Sequence, residues 1–402
     1  MNNDELQILG TERKSNKRNK WIVTALVLIA IAVGIGLYSV LFSDQTEKVK
    51  TGKKIGDPTI VPELQEAVDS FLLEEMVQIG ATQGQTIVMD VQTGEILAMV
   101  GLEKNFEKKY QPCKNFAYQQ EMGSVMKTAS LLAALETGKV KLSDEVDSEE
   151  GIHVFNDDII IRDHNWRRGG YGLVTVSKAF MVSSNIGICK AVDKAFGKNQ
   201  QQFFDLLDKM SYGQPDSIEG IAGLKPTIYT SPKDSNWISP DLWWSAIGYD
   251  RKIAPIQMLT FYNAIANGGK MVKPTLKTGV VEIINPQIAS KASIDSMQVA
   301  LENVVSQGLG KRAGTKMLLV AGKTGTAEVE EYYYGENPVV EYQLAFCGYF
   351  PADKPKYSMI VSINKIGLPA SGGLMAGQVF HNIVEWMAVH NFIKGIKPSR
   401  RS

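Results

Sequence analysis

The feature that most constrains this chain is an uncharged run of 22 residues near its N-terminus, from Trp21 to Phe42. As a helix, such a run is about 33 Å long, which matches the hydrocarbon core of a bilayer. The alternative is a cleaved signal peptide, but these have a shorter apolar stretch and a cleavage site of small residues. Ser39, Leu41 and Ser43 form a poor site of that kind. The run therefore predicts an uncleaved transmembrane anchor over residues 21–42.

The charges before this run predict its orientation. Five basic side chains precede it closely: Arg13, Lys14, Lys17, Arg18 and Lys20. By the positive-inside rule, residues 1–20 form a cytoplasmic tail and the chain after residue 42 lies outside the cytoplasmic membrane. We expect a single-pass membrane protein whose folded part has no access to cytosolic ATP or NADH.

The composition of the 402 residues is that of a globular protein with a real core, at 44% hydrophobic and 21% charged. The 43 basic and 43 acidic side chains balance, so no nucleic-acid partner is expected. The three cysteines are too few for a disulfide framework, and we expect Cys189 and Cys347 to be buried thiols. The four histidines have no metal-binding spacing, so no metal site is predicted.

The chain after the anchor divides into a tether and one folded domain. Residues 43–60 are polar and contain glycine, which indicates a short tether, and residues 61–398 form the domain. Pro62 begins an amphipathic helix that continues to Ile79. The further predicted elements are a hairpin over 85–101, a helix from Gly123 to Gly138, a helical block over about 140–270, strands over 316–329, 342–350 and 356–365, and a closing helix over 373–393.

This order of elements predicts an α+β fold. Strands joined by short links favour an antiparallel sheet, and helices from both ends of the chain can pack against it. The helical block between them predicts an inserted, all-helical lobe. Clefts between two such lobes are common places for small-molecule sites.

Three short motifs follow one another in this domain. They are Ser124-Val-Met-Lys127, Ser183-Ser-Asn185 and Lys323-Thr-Gly-Thr326. Each motif alone is weak, since a solvated helix lysine, a polar helix end or a surface strand residue would look the same. Their shared order and context are what point to a catalytic site.

The first motif has the spacing of a nucleophile and its base. Residues at i and i+3 share a helix face, so Lys127 can take the proton of the Ser124 hydroxyl if its amine is neutral. A helix N-terminus, burial and a second cation all lower a lysine pKa, and Lys323 can supply that cation. Gly123 lets a substrate approach the backbone closely.

The other two motifs supply groups for proton relay and substrate binding. The Ser183 hydroxyl can pass a proton to a leaving amine, and the Asn185 amide can orient a carbonyl and the lysine. Gly325 allows an extended substrate to pair along the strand. The backbone N–H groups of Thr326 and Ser124 can form an oxyanion hole.

At these residues the chain resembles the class B penicillin-binding proteins, the D,D-transpeptidases of bacterial cell-wall synthesis. The likeness covers roughly residues 58–390. Beyond the motifs it includes the segments GQTIVMDVQTGEILAMV, RDHNWRRGGYGLVTVSKAFMVSSNIGICKA, AIGYDRKIAPIQMLTFYNAIANGGKMVKP, AGKTGTAE and FCGYFPADKPKYSMIVSI. The resemblance implies the transpeptidase fold shared by penicillin-binding proteins and serine β-lactamases, in a bacterial inner membrane.

The resemblance also implies roles for the motif residues. Ser124 is the acylated nucleophile, Lys127 its base, and Ser183 and Asn185 complete the proton relay. Lys323, Thr324 and Thr326 then bind the carboxylate of a D-Ala-D-Ala stem peptide or a β-lactam antibiotic. No cofactor is implied, and cell-wall synthesis proteins of unknown identity are the expected protein partners.

The chain departs from the family pattern at two places. Met122 stands where proline commonly precedes the Gly-Ser of the first motif. Class B members usually carry a long non-catalytic pedestal between anchor and transpeptidase domain, whereas only residues 43–60 stand there in this chain. We therefore expect a short form without the pedestal, which leaves its role in division or elongation open.

Two rival functions share these motifs. A serine β-lactamase or D,D-carboxypeptidase hydrolyses the acyl-enzyme; a class A lactamase has Glu-x-x-x-Asn after the second motif, but here Glu219 is followed by Gly223. A non-enzymatic β-lactam sensor or scaffold acylates and signals, whereas this chain has one anchor and a short cytoplasmic tail. The sequence favours the transpeptidase.

Overall fold

A computed structural model of the protein describes residues 55–114, 116–154, 159–249, 251–334 and 337–393. The predicted tail and anchor, and most of the predicted tether, lie outside the described residues. Within these five ranges, no helix is both long and apolar enough to cross a bilayer.

An antiparallel sheet of six strands is the centre of the domain. Its strands, numbered in chain order, are β1 (Gln83–Asp90), β2 (Ile96–Lys104), β3 (Tyr110–Pro112), β13 (Ala321–Tyr334), β14 (Asn337–Phe350) and β15 (Tyr357–Ile366). They pair in the order β13-β14-β15-β1-β2-β3, so the first and last parts of the chain meet between β15 and β1. This confirms the predicted sheet and its antiparallel pairing.

The turn between β1 and β2 is stabilised by a carboxylate. The side chain of Asp90 accepts the backbone N–H groups of Gln92 and Thr93, both at 2.9 Å. Gly94 follows in the left-handed conformation, with φ at 76°. An Asx turn followed by glycine reverses the chain tightly, which is why this hairpin was readable from the sequence.

Nine α-helices are present in the described residues. They are α1 (Pro62–Ile79), α2 (Lys127–Glu136), α3 (Val176–Met181), α4 (Asn185–Phe196), α5 (Gln201–Lys209), α6 (Asp241–Ile247), α7 (Pro255–Ala266), α8 (Lys291–Ser306) and α9 (Met375–Val389). Helix α1 has the predicted bounds, while the closing helix α9 is shorter than predicted at both ends. The buried Cys189 and Cys347 are free thiols, as predicted.

The two faces of the sheet belong to two hydrophobic clusters. Successive strand residues point to opposite faces, so in β1 Ile87 and Met89 join one cluster and Val88 joins the other. Helices α1 and α9 cover one face, where the ring of Phe380 lies 4.7 Å from that of Phe346. The inserted lobe, which includes helix α7, and helices α2 and α8 belong to the cluster on the other face.

The inserted lobe is not all-helical, which corrects the sequence prediction. Besides helices α3 to α7 it holds short strands: β5 (Glu145–Asp147), β6 (Ile152–Val154), β7 (Ile160–Arg162), β8 (Leu173–Thr175), β9 (Ile228–Tyr229) and β10 (Arg251–Ile253). The remaining short strands are β4 (Gln120–Glu121), β11 (Met271–Val272) and β12 (Ile283–Asn285). Strands of two or three residues are too short to show a period-two pattern, so they could not be predicted from the sequence.

Helix α6 ends at a glycine that touches the start of the first motif. Gly248 has φ at 96°, and a Cβ there would overlap the carbonyl oxygen of Gly123. Gly138, after helix α2, is also left-handed, with φ at 69°, but a Cβ there would meet nothing within 4 Å. Both glycines therefore have a left-handed backbone that would strain an alanine, but only Gly248 is packed against another part of the chain.

We predict that Gly248→Ala lowers the free energy of unfolding more than Gly138→Ala does. The left-handed conformation costs alanine about 1–2 kcal/mol at either site, and only Gly248→Ala adds an overlap with backbone. Urea unfolding of both variants checks this. Equal losses for the two would show that the contact with Gly123 is not tight.

Candidate active site

Ser124 lies on a single turn of 3₁₀ helix, Gly123–Val125, immediately before helix α2. It lines a cavity of about 440 Å³. Gly123 adopts φ of 51°, and a Cβ there would lie 3.0 Å from the Cβ of Ala327 and 3.1 Å from the carbonyl oxygen of Thr326. The turn that carries Ser124 therefore rests directly on strand β13.

Gly325 brings the third motif against the same turn. A Cβ at this position would lie 2.6 Å from Cγ2 of Val125 and 2.8 Å from the carbonyl oxygen of Met122. The protein's own atoms therefore fill the space beside Gly123 and Gly325. The sequence had predicted that a substrate would lie close to these two glycines. Their lack of side chains places the first and third motifs in contact.

Lys127 is fully buried and hydrogen-bonded to the second motif. Its Nζ donates to the carbonyl oxygen of Ser183 at 2.7 Å and to Oδ1 of Asn185 at 2.6 Å, and lies 3.2 Å from the Ser183 hydroxyl. Burial lowers the pKa of Lys127 to about 8, with the charge of Asp163 acting against that shift. A lysine with such a pKa is partly neutral near physiological pH and can accept a proton.

Lys323 approaches the same serine from strand β13. Its Nζ lies 2.9 Å from the Ser183 hydroxyl and 3.1 Å from the carbonyl oxygen of Thr324. Burial, together with the charge of Lys127, holds the pKa of Lys323 well below its ordinary value. The described part of the cavity wall includes Thr324 but not Lys323, so this amine is connected to the cavity through its contacts with Ser183 and Thr324.

Ser183 stands at the meeting point of the three motifs. It lines the cavity, and its hydroxyl is within hydrogen-bond distance of both lysine amines. Its φ is 56°, in the left-handed region that residues other than glycine seldom adopt. Such strain persists only where surrounding contacts hold it, and it is common at functional sites.

The remaining cavity wall comes from the inserted lobe, from the loop after β15 and from Leu309, which follows helix α8. His164 and Tyr249 line the cavity on the side of the lobe, and Ala370, Ser371, Gly373 and Leu374 line it from the loop. Burial and the charge of Lys127 lower the pKa of His164, so its ring is neutral at physiological pH. The backbone N–H of Gly372 donates to the Thr326 hydroxyl at 3.0 Å, which joins the loop to the third motif.

Two residues of the site were missed by the sequence reasoning. Asp163 and His164 follow strand β7, 20 residues before the second motif, and neither has a motif spacing to the catalytic set. Asp163 is buried and accepts the backbone N–H of Asn185 at 2.5 Å. Both residues occur in the segment RDHNWRRGGYGLVTVSKAFMVSSNIGICKA. The resemblance of this segment to the family was the only sequence feature that could have indicated them.

Glu219, at the position expected for a deacylating glutamate, is not in this cavity. Its carboxylate pairs with Lys277 at 2.6 Å. Both residues line a separate cavity of about 350 Å³, together with Gly220 and Lys273. The described active-site wall therefore offers no support for a class A β-lactamase.

Comparisons with known proteins place this geometry in a family. The sequence profile described as "Penicillin binding protein transpeptidase domain" matches residues 84–385. Stage V sporulation protein D of Bacillus subtilis is 28% identical, over 74% of this chain and 48% of its own length. The peptidoglycan D,D-transpeptidase MrdA of Acinetobacter baumannii is 25% identical, over 71% of this chain and 48% of its own.

A solved structure shares the fold over nearly its whole length. The transpeptidase domain of Burkholderia pseudomallei penicillin-binding protein 3, in its apo form, superposes with a TM-score of 0.71 and 25% identity. The match covers 86% of this chain and 98% of that domain. The chain spans about half the length of the curated relatives it matches. The resemblance read from the sequence is confirmed: the chain belongs to the penicillin-binding protein transpeptidase domain family, among the class B proteins.

Proposed function

We propose that this protein is a serine-type D,D-transpeptidase that cross-links peptidoglycan stem peptides and is a covalent target of β-lactam antibiotics. The observation that carries the proposal is the shared Ser183 hydroxyl. It joins two buried lysines of lowered pKa to the cavity that contains Ser124. Family membership and the names of the relatives support the same reaction.

In the first step, Ser124 Oγ attacks the carbonyl carbon of the penultimate D-alanine. The proton of the hydroxyl passes to neutral Lys127, one turn further along the chain, and the new C–O bond gives a tetrahedral oxyanion. The backbone N–H groups of Ser124 and Thr326 stabilise that charge. The C–N bond then breaks, and the departing amine of the terminal D-alanine takes a proton through the Ser183 hydroxyl.

In the second step, the amine of a neighbouring stem peptide attacks the acyl-enzyme. Its nitrogen forms the new amide bond and gives up a proton to Lys127, which is neutral again after the first step. The Ser124 ester bond breaks, and the Ser124 oxygen takes that proton from Lys127. Thr324 and Thr326, which line the cavity, hold the substrate carboxylate. Asn185 keeps Lys127 in position through the 2.6 Å hydrogen bond. Lys323 supports the relay through its contact with Ser183. The donor peptide pairs along β13, which is an edge strand of the described sheet.

The membrane assignment is part of the proposal. Residues 21–42 anchor the protein, residues 1–20 stay in the cytoplasm, residues 43–60 are the tether, and residues 61–398 form the transpeptidase domain. This puts Ser124 on the extracytoplasmic side of a bacterial inner membrane, where peptidoglycan is assembled. Further cell-wall synthesis proteins are its expected partners.

Mass spectrometry tests this function against its rivals. The full-length protein in detergent is incubated with penicillin, and separately with a D-Ala-D-Ala peptide and an acceptor amine. We expect a stable penicillin adduct on Ser124 and a cross-linked peptide product. Rapid turnover of penicillin would indicate a β-lactamase, a product hydrolysed despite the acceptor would indicate a carboxypeptidase, and an adduct without any peptide turnover would indicate a sensor.

We predict that Ser124→Ala abolishes both the penicillin adduct and the cross-linked product. The variant lacks the oxygen that forms the acyl ester, while the neighbouring hydrogen bonds of Lys127 do not involve Ser124. Ser296→Ala, on helix α8 outside the cavity, is the matched control and keeps full labelling. An adduct that persists in Ser124→Ala would assign the nucleophile to another residue.

We predict that the rate of acylation by penicillin rises with pH through about 8 and then levels off. Lys127 accepts a proton only in its neutral form, which predominates above a pKa of about 8. We call the rise of the rate with pH the acid limb of the profile. Lys127→Arg removes the acid limb and lowers the rate by about 100-fold or more, because arginine stays protonated. Rates measured with a fluorescent penicillin from pH 6 to 9 check this, and a profile that is flat in the parent protein would contradict the role of Lys127.

A further inference from the structure

We propose that Asp163 is a positioning residue of this site. It fixes the backbone of the second motif and places a negative charge against Asn185, the residue that binds the Lys127 amine. The inference rests on the proposed function, because its effect is on acylation of Ser124. None of the three motifs contains Asp163, and it reaches the site from strand β7 in the inserted lobe.

Both oxygens of the Asp163 carboxylate are used by the start of helix α4. Oδ1 accepts the backbone N–H groups of Asn185 at 2.5 Å and Ile186 at 3.1 Å. Oδ2 accepts the Ser184 hydroxyl at 2.6 Å. With only 1% of its surface exposed, Asp163 makes these bonds without competition from water. Charge-assisted hydrogen bonds at a helix N-terminus are among the stronger contacts of a fold.

These bonds hold the residue that follows the strained Ser183. On the other side, the backbone N–H of Ser183 donates to the carbonyl oxygen of Phe180 at 3.1 Å, at the end of helix α3. The backbone at Ser183 is therefore held from two sides, by the end of α3 and by the bonds that Asp163 makes to the residues after it. Without the second point, its backbone can relax from the left-handed region, and the hydroxyl then leaves its position between the two lysines.

The same strand end fixes the side chain of Asn185. The carbonyl oxygen of Arg162, the last residue of β7, accepts Nδ2 of Asn185 at 2.7 Å. This bond sets which end of the amide faces Lys127, since Oδ1 must then be the acceptor of the amine. Arg162 and Asp163 together orient the backbone and the side chain of Asn185.

Asp163 also balances charge around Lys127. In the described residues, the ionisable groups that interact electrostatically with Lys127 are the carboxylate of Asp163, the thiol of Cys189, the ring of His164 and the amine of Lys323. Asn185 is bonded to both the Asp163 carboxylate and the Lys127 amine. Burial lowers the pKa of Lys127, and Asp163 is the first of the groups that raise it. Removing this charge alone therefore lowers the pKa of Lys127 further.

The test is Asp163→Asn in the full-length protein, with the rate of labelling by a fluorescent penicillin measured from pH 6 to 9. The amide has the shape of the carboxylate but no charge. We expect the plateau rate to fall about 10-fold to 100-fold, since small displacements of catalytic groups have effects of this size. We also expect the acid limb to move to lower pH, a shift that a merely structural defect would not produce.

Asp193→Asn is the matched control, because Asp193 is exposed on the same helix α4. It should leave both the plateau rate and the limb unchanged. A plateau and limb in Asp163→Asn equal to those of the parent would overturn the inference while leaving the proposed function intact. A lower plateau with an unmoved limb would overturn the electrostatic role. Failure of the parent protein to be labelled at all would instead overturn the proposed function.

If thermal unfolding shows that Asp163→Asn does not fold, Ser184→Ala replaces it. This variant removes the 2.6 Å contact with Oδ2 and keeps the carboxylate charge. We expect a smaller loss of rate, with the limb in its original place. A rate equal to that of the parent would contradict a positioning role for the Oδ2 contact of Asp163.

Discussion

The site depends on one hydroxyl shared by two buried amines. The Nζ atoms of Lys127 and Lys323 lie 3.2 and 2.9 Å from Ser183 Oγ, and both lysines are fully buried. Two ammonium groups this close in a poorly solvated site repel each other, so they titrate as a coupled pair in which a proton on one amine disfavours a proton on the other. This repulsion and the burial of both amines favour a neutral lysine near physiological pH.

Because burial is the main cause of both pKa shifts, the packing of the domain sets the chemistry of the site. Helix α2, which carries Lys127, is buried along most of its length. Strand β13 can approach it closely because Gly123 and Gly325 have no side chains. A further glycine, Gly372, lies where a Cβ would overlap the carbonyl oxygen of Gly325, so the loop after β15 closes on the same strand. Stability and reactivity are linked at these contacts, since a looser packing would hydrate the amines and raise their pKa values.

The sequence predicted the elements whose signals are local and long. Helix α1 begins at Pro62 and has five turns of amphipathic pattern, and the β1–β2 hairpin has its own turn residues. The three motifs are close together in space, as their order in the chain implied. What local patterns could not predict are the contacts made across the chain: the 3₁₀ turn under Ser124, the burial of Lys323, and the role of Asp163. Each depends on which segments meet, and no single window of sequence carries that information.

The position of Ser183 also accounts for the unusual backbone at that residue. Its carbonyl oxygen accepts Lys127 at 2.7 Å while its hydroxyl faces both amines and the cavity. An extended or helical backbone at residue 183 would turn either the carbonyl or the hydroxyl away, so the left-handed conformation is what lets one residue do both. A glycine would adopt this conformation at less cost but would have no hydroxyl to pass a proton. In the proposed relay, a serine at this strained position meets both requirements, because it joins a buried base to the cavity and has a hydroxyl that can pass a proton.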